Sequence, residues 1–89
     1  MELRQLKTFP TVATLLSFNR AAEVLNYAQS TISAQIRALE EDLGVRLFDR
    51  LGKSIVLTEA GELLSQYAQK MLDIEAETLA DVKKRNQPR

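Results

Sequence analysis

Gln29, Ser30, Thr31 and Ser33 stand together at the start of one periodic segment, and each carries a short hydroxyl or amide side chain. Such groups donate and accept hydrogen bonds without net charge, which suits them to base edges in a DNA groove or to phosphate oxygens near a helix N-terminus. A face turned only to solvent would be expected to carry Glu and Lys instead. A second set, Arg46, Arg50 and Lys53, gathers positive charge around Gly52. Cations on a short hairpin meet phosphates, or guard its edge against pairing with another strand. A third set, the contiguous carboxylates Glu40, Glu41 and Asp42, is the best that the chain offers for acid–base catalysis. It is incomplete, because the sequence has no His, no Cys and no Gly-rich loop to supply a base, a nucleophile or a phosphate cradle. Contiguous acids more often form a solvated face. No catalytic residue is therefore assigned, the chain is not expected to be an enzyme, and no metal site or cofactor is expected.

These residues need elements to hold them. Gln29, Ser30, Ser33, Ala34 and Arg37 fall on one side of a helix whose opposite stripe, Ile32, Ile36, Leu39 and Leu43, must be buried. Gly44 is expected to end it, since only Gly takes the left-handed C-terminal conformation cheaply. Ahead of it, Phe18, Ala21, Ala22 and Leu25 recur at helical spacing behind Ser17 or Asn19 as the cap, and Asn26-Tyr27 leaves room only for a tight turn. The pair, about residues 18–37, has the size and spacing of a helix-turn-helix, whose second helix enters the major groove. Before it, Leu3, Leu6, Phe9, Val12, Ala13 and Leu16 predict a helix over about residues 2–16. Pro10 inside that helix costs roughly 3 kcal/mol or a kink, so a later start near Thr8 is the alternative.

Beyond Gly44 the period changes. Leu47–Arg50 and Ser54–Leu57 read as two strands around Leu51-Gly52-Lys53, a wing over about residues 46–57. Thr58 then caps a last helix with Glu59 and Glu62 in its first turn, where Gly61 is tolerated because the helix is weakest there. Apolar residues continue through Val82, and Lys83-Lys84-Arg85 suit the negative end of the helix dipole. Asn86 to Arg89 read as a frayed end. The expected fold is mainly α: a winged helix-turn-helix of three helices and a two-stranded wing over residues 1–58, then a long linker or dimerisation helix over 59–89.

That last helix carries Ala60, Leu64, Tyr67, Met71 and Ile74 in alternating steps of four and three, widened by Leu63, Ala68, Leu72, Leu79 and Val82. At about 1.5 Å per residue it outruns three short helices and a hairpin, so part of its apolar face has nothing within the chain to pack on. A second copy is the economical cover, and Leu64, Tyr67, Met71, Leu72 and Leu79 are assigned to a homodimer contact. Composition agrees with the need for a partner, because 89 residues with 45% hydrophobic content bury one small, marginal core. Twelve basic and twelve acidic residues cancel, so any attraction to DNA must come from one face and not from overall charge. Met1-Glu2-Leu3-Arg4 lacks the basic-then-apolar order of a signal peptide, and no apolar run nears the ~18 residues of a membrane span, so the expected address is the cytoplasm and no membrane partner is expected.

Three stretches sharpen this reading. Ser17-Phe18-Asn19-Arg20-Ala21-Ala22-Glu23, then Ser33 through Arg50, and finally Leu57-Thr58-Glu59-Ala60-Gly61 resemble, without gaps, the LysR-type transcriptional regulators of bacteria. The resemblance covers residues 1 to about 80. It implies an amino-terminal domain that binds double-stranded promoter DNA as a homodimer, with a tetramer as the alternative for the full-length protein. It also implies an effector ligand bound only through a carboxy-terminal domain that these residues do not include, so that the chain is part of a larger regulator. Gln29, Ser30, Thr31, Ser33, Ala34, Arg37, Arg50 and Lys53 are the expected DNA-facing positions. Three departures from the family pattern matter. Ala28 replaces a customary capping Ser, at about 1 kcal/mol unless Ser30 takes over. Ser30 replaces a Pro, and Ala34 stands where a long polar residue often makes a DNA contact. The competing expectation is a helical protein-interaction module whose long helix is the working surface and whose helix pair merely folds.

Overall fold

Pro10 sits inside α1 (Leu3–Leu15) without dividing it. The computed structural model describes residues 1–85, in the order α1, α2 (Phe18–Leu25), α3 (Gln29–Leu43), β1 (Phe48–Leu51), β2 (Ser54–Leu57) and α4 (Glu59–Arg85). The frayed end expected at residues 86–89 lies outside the described residues. Helix α1 runs past its proline because Leu6, Phe9 and Val12 are all buried on one stripe. Each such side chain contributes about 1.5–3 kcal/mol on burial, enough together to offset the missing backbone bond. The alternative start at Thr8 is not used: Thr8 is buried mid-helix, and its hydroxyl donates to Gln35 Oε1 on α3.

The stripe ends one residue earlier than its spacing suggests. Leu16 does not join the core but closes α1 in the left-handed region, at φ 51°, with its N–H on Val12 O at 2.7 Å. Leu15 packs against the core in its place, and Leu16 is 41% exposed. A left-handed leucine costs roughly 1–2 kcal/mol. Leu16→Gly should therefore raise the urea midpoint by an amount worth about 1 kcal/mol at unchanged m-value. A fall in the midpoint would show that the leucine side chain is worth more in place than its backbone strain costs.

Ser17, not Asn19, caps α2, its Oγ accepting the Arg20 N–H at 3.1 Å. Asn26 ends α2 at φ 59°, a conformation that Asn tolerates, and the next N–H, from Tyr27, reaches back to Ala22 O at 3.0 Å. The turn is thus closed by local hydrogen bonds. On α3, Ile32, Ile36 and Leu39 are buried as expected, but Leu43 at the helix end is exposed. Gly44 terminates α3 at φ 70°.

The wing begins one residue later than the sequence suggests. Its register pairs Phe48 with Leu57 and Leu51 with Ser54, leaving a two-residue turn, Gly52-Lys53, in which only Gly52 has positive φ. That matches a type II′ hairpin with glycine in its first central position. Leu47, expected in the strand, is instead a fully buried connector. Phe48 ties the root of the wing to the helices, with its ring 5.6 Å from Phe9 and 5.8 Å from Phe18.

Thr58 caps α4 as expected: its Oγ1 accepts the Gly61 N–H at 3.0 Å and donates to Arg46 O at 2.6 Å. Gly61 is present for a different reason from helix weakness. A Cβ there would overlap the Leu47 carbonyl oxygen and come within 2.9 Å of Leu57 Cδ2, so the helix meets the wing root at a distance that only glycine allows. Gly61→Ala should cost about 1–3 kcal/mol, despite the better helix propensity of Ala, because backbone must move to admit it. A more stable variant in denaturant titration would refute this close approach. The first half of α4 belongs to the same core, with Ala68 fully buried, and the helix lies along α1, where Lys7 Nζ is 3.8 Å from a Glu75 carboxylate oxygen. No helix among the described residues is long and apolar enough to cross a membrane.

Candidate nucleic-acid interface

Burial of Ile32, Ile36 and Leu39 turns the opposite side of α3 outward. Gln29, Ser30, Thr31, Ala34 and Arg37 are exposed there and Ser33 is half-buried. Gln29 Nε2 donates to Ser33 Oγ at 2.9 Å, one turn along, which orders the amide while leaving its oxygen and one N–H free. No side chain caps α3, so Ser30 does not replace the missing cap at Ala28. The backbone compensates in part, since Ala28 O accepts from Thr31 and Ile32 N–H at 3.0 and 3.3 Å.

One α3 residue escaped the sequence reading. Gln35 turns inward to the buried Thr8 hydroxyl and locks the outward face against α1. A polar residue at the margin of each buried stripe, Thr8 beside Phe9 and Gln35 beside Ile36, is the signal that could have found the pair.

The three wing cations separate in role. Arg46 is engaged locally, with Nε 3.5 Å from Asp49 Oδ1 and a guanidinium N–H donating to Phe48 O at 3.3 Å. Arg50 and Lys53 are exposed and form no ion pair among the described residues. Between α3 and the wing lies an open groove of about 360 Å³, with Ser33, Arg37 and Glu40 on the helix side and Arg46 and Arg50 on the wing side. Helix face and hairpin therefore share one surface. A family model described as the bacterial regulatory helix-turn-helix protein, lysR family, matches residues 3–62, which span α1 through the first turn of α4.

The chain belongs to the LysR family.

Among relatives, it is 59% identical over 63 residues to the HTH-type transcriptional regulator YtlI of Bacillus subtilis, covering 71% of this chain and 20% of YtlI. It is 48% identical over 68 residues to the RuBisCO operon transcriptional regulator of Allochromatium vinosum, covering 76% of this chain and 22% of that protein. The chain thus spans about a quarter or less of the length of these LysR-family relatives. Among solved structures, it superposes on BenM DBD in its complex with catB site 1 DNA with a TM-score of 0.91 at 36% identity, covering 100% of this chain and 99% of the other. Against CbnR DBD in its DNA complex the TM-score is also 0.91 at 36% identity, covering 98% and 100%. The winged helix-turn-helix with three helices, a two-stranded wing and a long following helix is therefore the LysR-family arrangement in this chain as well.

The residues assigned to self-association divide between two environments. Leu64, Met71 and Leu72 are half-buried and pack against the chain's own core, whereas Tyr67 and Leu79 are more than half exposed. Leu63, Ile74 and Val82 are exposed to a similar degree. A groove of about 380 Å³ runs between the start of α1 and α4, lined by Leu3, Met71, Ile74 and Leu79 together with Glu75 and Thr78. The carboxylates singled out for catalysis do not converge. Glu40 accepts the Leu47 N–H at 2.7 Å, Asp42 pairs with the amino terminus at 3.1 Å, and Glu41 faces solvent.

Proposed function

We propose that the chain reads promoter DNA as the DNA-binding part of a bacterial transcription regulator, acting as a homodimer. The observation that carries this is the single surface formed by the largely uncharged outward face of α3, with Arg37 at its edge, and the wing cations Arg50 and Lys53, which form no ion pair among the described residues. On it, Gln29, Ser30, Thr31, Ser33, Ala34 and Arg37 face the major groove, and Arg50 and Lys53 meet phosphates on either side of the adjacent minor groove. In this reading residues 1–58 carry the reading surface, and the segment from 59 onward, helical as Glu59–Arg85, carries the dimer contact. Both LysR-family structures named above were solved as DNA complexes, which supports the same partner here. Promoter binding in a bacterium implies a cytoplasmic address. In a longer protein, effector ligand and tetramer formation would belong to a following domain. The relatives named above are transcriptional regulators, and Glu40, Glu41 and Asp42, the carboxylates singled out in the sequence, do not converge on one another.

Binding of the 89-residue chain to tiled promoter fragments, against excess competitor duplex at moderate salt, tests the proposal. Retention of a preferred site is the expected result. Weak attraction equal for all fragments would favour the protein-interaction module instead. Within a preferred site, Gln29→Ala should cost about 1–3 kcal/mol of discrimination at the base pair it reads, because Gln bonds adenine through two parallel hydrogen bonds. Non-specific affinity should hardly change. Equal loss on specific and random duplexes would make Gln29 a phosphate-positioning residue.

A further inference from the structure

Three of the backbone N–H groups between Gly44 and Leu47 terminate on one residue. Glu40 O accepts from Gly44 at 2.8 Å and from Val45 at 3.3 Å, while Glu40 Oε2 accepts from Leu47 at 2.7 Å. The first two bonds end a helix in the ordinary way. The third does not: a side chain on the recognition helix reaches over the connector and holds the first buried residue of the wing. From the other side Thr58 closes the same connector, its N–H on Leu47 O at 3.0 Å and its hydroxyl on Arg46 O at 2.6 Å. Glu40 lines a groove with Arg37, Arg46 and Arg50, yet among the described residues it forms an ion pair with none of them. Its carboxylate is committed to the backbone.

We propose that Glu40 is a positioning residue for DNA reading: by holding the Leu47 N–H it fixes the height and tilt of the wing relative to α3, and so places Arg50 and Lys53 on the phosphates. The inference rests on the DNA-binding reading above. Its physical basis is leverage. Leu47 is fully buried one residue before β1, and Arg50 and Lys53 lie further out along a two-stranded hairpin. Phe48 seats the root of the hairpin on Phe9 and Phe18, and the Glu40 bond and the Thr58 pair hold the connector that enters it, so together they set the angle at which the hairpin leaves the helices. A 2.7 Å bond from a backbone N–H to an acceptor of fixed reach on a helix is directional, which suits a hinge that must not swing. Sequence alone placed Glu40 among solvated acids.

The test compares Glu40→Ala, Glu40→Asp and Glu40→Gln with an Arg50→Ala, Lys53→Ala double variant, using the full chain on a preferred duplex. The readouts are the slope of log K against log salt and hydroxyl-radical protection under the wing, both taken well below each variant's melting temperature. Glu40→Gln retains an acceptor of the same reach and should keep the wild-type slope and protection. Glu40→Asp keeps the charge but draws the oxygen back by one methylene, and should lose about one unit of slope for each wing cation displaced, together with the protection. Glu40→Ala should match it, and adding the wing double substitution to either should give no further loss. A Glu40→Asp variant with unchanged slope and protection overturns the proposal, whatever its melting temperature. So does a Glu40→Gln variant as impaired as Glu40→Asp, since charge and not geometry would then be decisive. Failure of the DNA-binding reading is a separate outcome, because the wild-type chain would then show neither a preferred site nor a slope reduced by the wing double variant.

Discussion

Ile74→Glu combined with Leu79→Glu is expected to convert the chain from a dimer to a folded monomer and to weaken binding to a two-half-site operator by about 10²–10⁴-fold. Both side chains are more than half exposed, and they line one groove with Leu3 and Met71. Helix α4 has 27 residues, about 40 Å of helix, and the molecule extends 58 Å by 26 Å by 19 Å, so one end of the helix projects past the helices that it packs on. Together with Leu63, Tyr67 and Val82 this leaves a row of apolar side chains in water, the kind of surface that self-associates or aggregates. A second α4 about a two-fold axis would cover it and would set two recognition helices roughly one DNA turn apart, or a multiple of it. Linking two half-site readers makes the second contact intramolecular, and losing the link forfeits that gain. The exposed residues are the right ones to charge. Leu72, suggested by spacing alone, packs against the chain's own core, and its replacement would confuse unfolding with dissociation. Sedimentation at micromolar concentration with circular dichroism on the same sample checks the result. A wild-type chain that is a monomer at that concentration and still binds a full site tightly would sink the dimer.

Arg50→Ala with Lys53→Ala should weaken all duplexes alike, by roughly a thousandfold at about 0.15 M salt for the four cations of a dimer. The magnitude follows from counterion release. Each neutralised phosphate contributes about 0.9 to the slope of log K against log salt, hence roughly 0.7 logarithmic units at that ionic strength. Neither cation is held by a carboxylate among the described residues, so both are free to meet phosphates, whereas Arg46 is already bound to Asp49 and the Phe48 carbonyl. Discrimination between sites should survive, because phosphate contacts carry no base information. The check is a salt titration on specific and random duplexes. A slope equal to wild type would mean that the wing misses the backbone.

How much of this was legible beforehand depends on the range of the interaction involved. The helix pair, its tight turn, the Gly44 stop and the Thr58 cap were all readable, because each is decided within a few residues of chain. Ser17 accepts from a residue three positions on, and Thr58 does the same for Gly61. The outward face of α3 was readable for the same reason, since a 3.6-residue period fixes what lies opposite a buried stripe. Errors came where two elements meet. Leu16 and Leu43 have the right spacing for a stripe, but each sits where its helix ends and the core falls away, and spacing carries no information about that edge. Leu64 and Leu72 look like their exposed neighbours on a helical repeat until α1 is laid against one side of α4.

The sequence by itself determined the elements, their order and the two kinds of chemistry on the proposed reading surface: mostly uncharged polar groups with Arg37 on a helix, and cations on a hairpin. Local propensity, capping and hydrophobic period are properties of neighbouring residues, so no fold was needed to see them. Only the tertiary structure decided that Gln35 serves Thr8, that Gly61 is required by the Leu47 carbonyl, that Arg46 is spent locally while Arg50 is not, and that Glu40 holds the wing. Each is a contact between different elements, or between a helix and the connector leaving it. Its existence depends on where packing sets one backbone against another to within a few tenths of an ångström, and no periodicity along the chain encodes that distance.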